Sequence, residues 1–240
     1  MDFSFMLSAF LRLLPGIPLT LQLAVISIAL GITLALFLAL LRLSRIKPLE
    51  WMARAYVFVF RSTPLLVQIF LVYYGPGQFP ALRHSILWPI LREPYWCAII
   101  ALALNTGAYG SEIIRGGLQS VPHGQVEAAR AFGMGRLQIF GRIVLPLAVR
   151  QALPAYGNEI ILMVKATALG SVITLMEVTG LAAKMISETY RAIEVFVVAG
   201  CIYLVINFLV TRLIQLVEHW LSPHLRSAPI STGFEKKVAA

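Results

Sequence analysis

The longest uncharged stretch of the chain includes residues 19–41, which contain no Asp, Glu, Lys or Arg. The hydrocarbon core of a bilayer is about 30 Å thick, and a helix rising 1.5 Å per residue crosses it in roughly 20 apolar residues. This run is too long for the apolar region of a secretory signal peptide, and no small-residue cleavage site follows it. We therefore interpret residues 19–41 as a retained transmembrane helix.

Four other stretches also predict spans, in agreement with a chain that is 59% apolar and 13% charged. Three of them carry one charge each, and the fourth carries more but remains apolar overall, as is tolerated where a helix faces a bundle interior. These stretches are residues 55–74, 95–114, 143–165 and 195–217. The sequence thus predicts an all-α integral membrane protein with five transmembrane helices in a single domain over residues 1–240. Between the last two spans, we expect one or two short helices in 166–194.

The basic residues predict the orientation of these spans. Twelve of the twenty Lys and Arg fall in segments that share one face, and five fall on the other. The twelve are Arg42, Arg45, Lys47, Arg54, Arg115, Arg130, Arg136, Arg142, Arg212, Arg226, Lys236 and Lys237. Cytoplasmic loops are enriched in Lys and Arg, so we expect the N-terminus outside and the C-terminus in the cytoplasm. The formal charge of +9 therefore records orientation and does not indicate nucleic-acid binding.

Polar residues inside the predicted spans are candidates for a substrate path, because charge in a membrane helix needs a partner or a purpose. Arg150, Pro154 and Asn158 recur every four residues and predict a polar stripe, with Glu159 beside it. Glu159 either balances a buried charge or receives the ammonium or guanidinium group of a substrate. We expect Asn158, Asn105 and Tyr109 to add neutral hydrogen bonds. Arg150 we interpret first as a structural charge.

Two further charges in the spans have simpler interpretations. We expect the long side chain of Arg61 to extend toward the cytoplasmic headgroups, with a kink at Pro64. Glu112 lies near the end of its span, where solvent or Arg115 would satisfy it.

In the predicted cytoplasmic loop, residues 115–142, segments that favour a helix alternate with residues that break one. Residues 125–132 favour a helix, Gly133 and Gly135 interrupt it, and residues 137–144 favour a second helix. Such a helical hairpin either docks into a groove on a soluble partner or lies on the inner leaflet of the membrane. The composition of the loop does not decide between these two interpretations.

The same loop contains a recognisable motif. Glu127-Ala128-Ala129, Gly133, Ile143, Leu145 and Pro146 fit the pattern E-A-A-x3-G-x9-I-x-L-P. The loop resembles the EAA loop of permease subunits in bacterial ATP-binding-cassette importers. Residues 61–68 (RSTPLLVQ) and 153–169 (LPAYGNEIILMVKATAL) are similar to the polar amino acid branch of that family, which includes histidine, arginine and octopine permeases.

The resemblance implies the architecture of a type I importer permease in a bacterial inner membrane. The EAA loop would form a coupling helix seated in a cytoplasmic ATPase, and ATP with Mg²⁺ would bind to that partner rather than to this chain. Other implied partners are a second permease subunit, a second ATPase and an extracytoplasmic solute-binding protein. We favour a heterodimer of permeases over a homodimer, and we expect Gly133 to require a positive φ or a close backbone approach.

The chain carries no G-x-x-x-x-G-K-[S/T], H-E-x-x-H or G-x-S-x-G sequence, so we expect a transport subunit and not an enzyme. Two other classes remain as alternatives. An ion- or proton-coupled secondary transporter would use Glu112 and Glu159 as proton carriers. A membrane scaffold or sensor would not transport, and it would leave the polar stripe at residues 150–158 unexplained.

Overall fold

The computed structural model describes residues 2–44 and 46–221, and these residues form helices and connecting turns with no β-strand. The prediction of an all-α chain is confirmed for this part. Three helices are long and apolar enough to cross a membrane, and the number rises to five if each of two bent helix pairs counts as one span. The predicted tail after Pro223, and with it Arg226, Lys236 and Lys237, lies outside the described residues, as does Arg45.

The first two helices form one long element. Helix α1 (Phe3–Leu13) begins at Asp2, whose carboxylate accepts hydrogen bonds from the amides of Ser4 and Phe5. A short 3-10 turn (Leu14–Gly16) leads into α2 (Ile17–Leu43), which contains the predicted span 19–41. The sequence prediction did not include α1.

The second apolar stretch is broken. Helix α3 (Lys47–Ser62) is followed by α4 (Leu65–Tyr74), and the chain bends by 106° between α3 and the segment Leu65–Gln78 that begins with α4. The break falls at Thr63 and Pro64, because proline has no N–H to continue the helix and restricts the residue before it. The predicted span 55–74 therefore covers two helices. Two single-turn helices, α5 (Pro80–Arg83) and α6 (Trp88–Leu91), then lead to the next long helix.

Helix α7 (Pro94–Gln119) is the centre of the bundle and packs against α2, α3, α4 and α10. Small residues allow α2 and α7 to approach closely: a Cβ at Gly31 would lie 2.6 Å from Thr106, and one at Gly110 would lie 2.9 Å from Ala35. Both pairs advance in the same direction along the chain, so α2 and α7 are parallel and end at the same end of the bundle.

Helices α8 (His123–Ala131) and α9 (Arg136–Ile139) follow α7. A π-helical turn, Phe140–Val144, then joins α9 to α10 (Leu145–Ala166), which runs antiparallel to α7. The predicted span 143–165 begins in this turn and follows α10. After α10, a 3-10 turn (Thr167–Ile173) and α11 (Val178–Thr189) occupy residues 166–194, where short helices were predicted, and α12 (Ala192–Leu221) completes the fold.

A buried acid holds the end of this segment in place. Glu177 is fully buried, and its carboxylate accepts hydrogen bonds from the amides of Thr179 and Gly180 at 2.9 and 2.8 Å. The hydroxyl of Tyr203 on α12 donates to the same carboxylate at 2.6 Å. Glu177 thereby caps α11 and ties it to α12, which satisfies a charge that burial would otherwise penalise.

Candidate functional site

A polar cavity of about 500 Å³ opens beside the break between α3 and α4. This volume falls within the roughly 300–1,000 Å³ typical of small-molecule sites. Its walls come from the break, from α7 and from α10. The lining residues are Arg61, Ser62, Thr63, Pro64, Leu65, Asn105, Tyr109, Glu159, Leu162, Met163 and Ala166.

The broken helix is stabilised by one buried amide. The Nε2 atom of Gln68 donates to the carbonyl oxygens of Phe60 and Thr63 at 2.8 and 3.1 Å, and to the Thr63 hydroxyl at 2.8 Å. Carbonyl groups at a helix end lack an intrahelical partner and need a donor from elsewhere, especially away from water. Gln68, which is only 5% exposed, supplies that donor to the Phe60 and Thr63 carbonyls at the end of α3.

Helix α7 contributes two side chains one turn apart. Asn105 and Tyr109 lie at positions i and i+4 and so share a face. The Nδ2 atom of Asn105 donates to Oε1 of Gln68 at 3.0 Å, while the ring of Tyr109 lies 5.2 Å from the guanidinium carbon of Arg61. This second distance is within the range of a cation–π contact.

Helix α10 contributes the carboxylate. Glu159 is 8% exposed and lines the same cavity as Arg61. Within the described part of the chain, Glu159 has neither a hydrogen bond nor an ion pair within 4 Å. The cavity therefore combines one carboxylate and one guanidinium with the neutral polar groups of Asn105 and Tyr109.

The predicted path residues divide into two groups in the structure. Glu159, Asn105 and Tyr109 meet in the cavity. Asn158 and Arg150 do not line it: Asn158 is exposed on the surface of the single chain and Arg150 is half-buried. The polar stripe along α10 thus faces outward from this chain, because Asn158 and Glu159 are about 100° apart on the helix.

Two residues at the cavity were not assigned to it from the sequence. Arg61 was expected to extend toward the headgroups; its side chain is exposed and its guanidinium lies over the Tyr109 ring at the cavity. Gln68 received no separate role, although it is the last residue of the RSTPLLVQ segment. A buried glutamine four residues after a proline in an apolar run was the available signal, because a broken helix leaves carbonyl groups that need donors.

The EAA segment lies away from this cavity and forms a sharp corner. Helix α8 ends at Ala131, and Gly133, two residues later, has a φ of +75°, as the sequence predicts. The amide of Gly133 donates to the Arg130 carbonyl at 2.9 Å, and the amide of Met134 donates to the Ala129 carbonyl at 3.1 Å. This pair of hydrogen bonds is a Schellman motif, which requires a left-handed residue at the Gly133 position.

The corner presents apolar side chains outward. Phe132 and Leu137 are each 88% exposed, whereas Ala129 is buried. Glu127 and Ala128 are exposed on α8. The remaining motif residues follow the corner: Ile143 lies in the π-helical turn, and Leu145 and Pro146 form the first turn of α10. The motif thus runs from the exposed helix into the helix that carries Glu159.

These features define a class: an all-helical chain with membrane-length apolar helices around a cavity that contains polar groups, which is the arrangement expected of a transport subunit. The particular family follows from comparison with known proteins. Residues 10–223 match the family of binding-protein-dependent transport system inner membrane components, and the chain belongs to that family. It is an inner-membrane permease subunit of an ATP-binding-cassette importer. The family match therefore supports this class over the secondary transporter considered from the sequence.

The chain is similar to several characterised relatives over almost its whole length. It is 62% identical over 234 residues to the octopine transport system permease protein OccM of Rhizobium meliloti, covering 97% of this chain and 96% of the relative. It is 55% identical to the nopaline transport system permease protein NocM of Agrobacterium fabrum, covering 95% of each chain. A crystal structure of an amino acid ABC transporter with histidines matches with a TM-score of 0.81 and 37% identity, covering 91% of this chain and 98% of that chain.

Proposed function

We propose that this chain forms half of the translocation pore for polar, basic amino acids or opines, and that the cavity at the α3–α4 break receives the substrate. The single observation that carries this proposal is that Glu159 and Arg61 both line one cavity. A basic amino acid carries a cationic side chain and a carboxylate. Glu159 would bind the cationic group and Arg61 the carboxylate through charge-assisted hydrogen bonds.

The identities of the relatives support a substrate of this kind. Two of the relatives are named as octopine and nopaline transport system permeases, and both compounds carry a guanidinium group and carboxylates. The structural relative is an amino acid transporter with histidines. Asn105 and Tyr109 would contribute neutral hydrogen bonds. Asn158 and Arg150, on the outer face of α10, would then meet the second permease subunit, whose cavity wall would complete the pore.

We further propose that α8 is the coupling helix. Its exposed corner at Phe132 and Leu137 fits the recognition mode in which a short helix presents apolar anchors to a groove. The motif residues Glu127, Ala128, Ala129, Gly133, Ile143, Leu145 and Pro146 would form this unit. ATP hydrolysis with Mg²⁺ would occur in the partner ATPase, and the continuous path from α8 through α9 into α10 would carry its movement toward Glu159.

The proposed assembly has five membrane crossings in this chain, counting α3–α4 and α10–α11 each as one. Because α2 and α7 are parallel, the basic segments that follow them would lie on the same, cytoplasmic side of the membrane. At the opposite end of the first element, Asp2 contacts Arg191 and Glu194. The N-terminus would thus be outside and the C-terminus cytoplasmic. A second permease subunit in a heterodimer, two ATPase subunits and an extracytoplasmic solute-binding protein complete the complex.

Uptake by the complex reconstituted in liposomes tests the substrate site. Glu159→Gln should reduce uptake of arginine at least tenfold and leave basal ATP hydrolysis unchanged, because the carboxylate contacts substrate and not the ATPase. Glu188→Gln, an exposed acid on α11, is the matched control and should behave as the unmodified complex. Equal losses of uptake and ATP hydrolysis would assign Glu159 a structural role, and full uptake would place the substrate elsewhere.

A further inference from the structure

The orientation of the Gln68 side-chain amide is determined by its neighbours. Two backbone carbonyl oxygens, those of Phe60 and Thr63, lie within hydrogen-bond distance of one end of this amide. A carbonyl oxygen can only accept, so the end of the amide that faces them must be the nitrogen. The other end is therefore the oxygen Oε1, which points toward α7.

The orientation of Asn105 follows from that of Gln68. An oxygen at the end of Gln68 requires a donor, and the Asn105 atom that lies 3.0 Å away must be the amide nitrogen Nδ2. The Oδ1 atom of Asn105 is then left for the cavity, which Asn105 lines. Within the described residues, Oδ1 has no hydrogen-bond donor, and it is not among the fully buried polar atoms that lack one.

We propose that Gln68 is a specificity-determining positioning residue. It does not line the cavity, but it fixes the Asn105 amide so that an oxygen, and not an N–H group, faces the substrate. Asn105 Oδ1 on the α7 wall and the Glu159 carboxylate on the α10 wall are then both acceptors. A ligand group placed between them must donate hydrogen bonds to both. A guanidinium group has N–H donors on both sides, whereas a ureido group has donors on one side and an acceptor oxygen on the other.

The same amide joins two parts of the cavity wall. Gln68 holds the corner at Thr63 with its nitrogen and Asn105 with its oxygen. The helix break and the selectivity of the cavity therefore depend on one side chain. A role limited to the break would affect folding alone, whereas a role through Asn105 would affect the choice of ligand.

This inference rests on the proposed function, and its test compares two ligands of nearly the same shape. Arginine carries a guanidinium group, and citrulline replaces one of its nitrogen donors with an oxygen acceptor. Binding of both to the assembled complex in lipid nanodiscs, measured by calorimetry without the binding protein, gives the ratio of the two Kd values. Loss of folded complex lowers the number of sites but does not change this ratio.

Gln68→Met should reduce the preference for arginine over citrulline about tenfold, because the freed Asn105 amide can rotate and offer a donor to citrulline. Asn105→Leu should reduce the preference to a similar extent. If Gln68 acts through Asn105, the double variant should show no loss beyond that of Asn105→Leu. If Gln68→Met does not assemble, Asn105→Leu still tests the inference, because it leaves the bonds from Gln68 to Phe60 and Thr63 in place; an unchanged Kd ratio in Asn105→Leu would overturn the inference equally.

Two further results would overturn the inference: an unchanged Kd ratio in Gln68→Met, or an additional tenfold loss when Gln68→Met is combined with Asn105→Leu. In either case a reduced arginine affinity in Glu159→Gln would leave the proposed substrate site intact. By contrast, arginine binding that is absent from the unmodified complex or insensitive to Glu159→Gln would overturn the proposed function itself.

Discussion

Arg42, at the end of α2, forms an ion pair with Glu112, near the end of α7, and the same carboxylate binds Arg115 at 2.7 Å. The side chains of Arg42 and Glu112 are only 13% and 19% exposed. One acid thus satisfies two cations and joins the ends of the two parallel helices. The sequence suggested Arg115 as a partner of Glu112 but did not include Arg42.

Removal of this shared acid should destabilise the protein. Glu112→Gln leaves the largely buried guanidinium of Arg42 and the partly exposed one of Arg115 without this countercharge, and we expect a loss of about 3 kcal/mol in the free energy of unfolding. Thermal unfolding in detergent measures the change. Glu50→Gln breaks the Glu50–Arg54 pair, in which the arginine is 61% exposed, and should cost about 0.5 kcal/mol or less. Similar losses in both variants would show that burial does not determine how much each ion pair contributes to the free energy of unfolding.

The neighbouring glycines of α7 offer a sharper comparison. A Cβ at Gly117 would lie 2.6 Å from the Ala148 carbonyl oxygen, whereas one at Gly116 would meet no atom within 4 Å. Gly117→Ala should therefore lower the free energy of unfolding by about 1–3 kcal/mol, since the backbone of α10 has to move. Gly116→Ala should raise it by up to about 1 kcal/mol through helix propensity. Chemical denaturation of the two variants checks the opposite signs.

The hydrogen bond between Tyr203 and Glu177 can be tested by a substitution that removes a single oxygen atom. Tyr203→Phe removes the hydroxyl that donates to the buried carboxylate, and we expect a cost of about 1.5–3 kcal/mol in the free energy of unfolding. Tyr190→Phe makes the same chemical change at a side chain that is 90% exposed and should have no measurable effect. An unchanged melting temperature in Tyr203→Phe would mean that the two backbone amides satisfy Glu177 alone.

The corner after α8 predicts how coupling responds to substitution. Gly133 has a φ of +75° and no atom near its missing Cβ, so the cost of a side chain there comes from the backbone alone. Gly133→Arg should leave the complex assembled but should abolish the stimulation of ATP hydrolysis by substrate-loaded binding protein. Gly133→Asn should retain part of it, since Asn adopts left-handed conformations more readily.

Gly116→Arg on α7 is the matched control, because Gly116 lies outside α8, has open space around it and has no positive φ. It should retain normal uptake. Substrate-stimulated uptake at the normal rate in Gly133→Arg would contradict the assignment of α8 as the coupling helix.

Several features were predictable because they depend on local chemistry. Gly133 lies where a helical pattern stops, and a left-handed glycine is the common way to end a helix. Pro64 predicts a break for the same kind of reason. The bend of 106° was not predictable, because it depends on Gln68 and on packing against α7, which are contacts between residues distant in the sequence.

The cavity was only partly predictable. Glu159 and Asn158 are adjacent, and both are polar, so periodicity does not decide which of them faces inward. The position of Arg61 depends on Tyr109, which is far away in the sequence and reaches it only after α3 and α7 pack. The sequence therefore identified the chemical groups of the site, and tertiary packing selected among them.

The close contact between α2 and α7 has a mechanical consequence. Gly31 and Gly107 leave no space for even a methyl group between these helices, and the Arg42–Glu112 pair fixes their ends. Sliding of one past the other would force atoms to overlap, so the two helices move as a rigid body. A change in the shape of the pore must then be absorbed at the less regular joints, which are the break at Pro64 and the π-helical turn at Phe140–Val144.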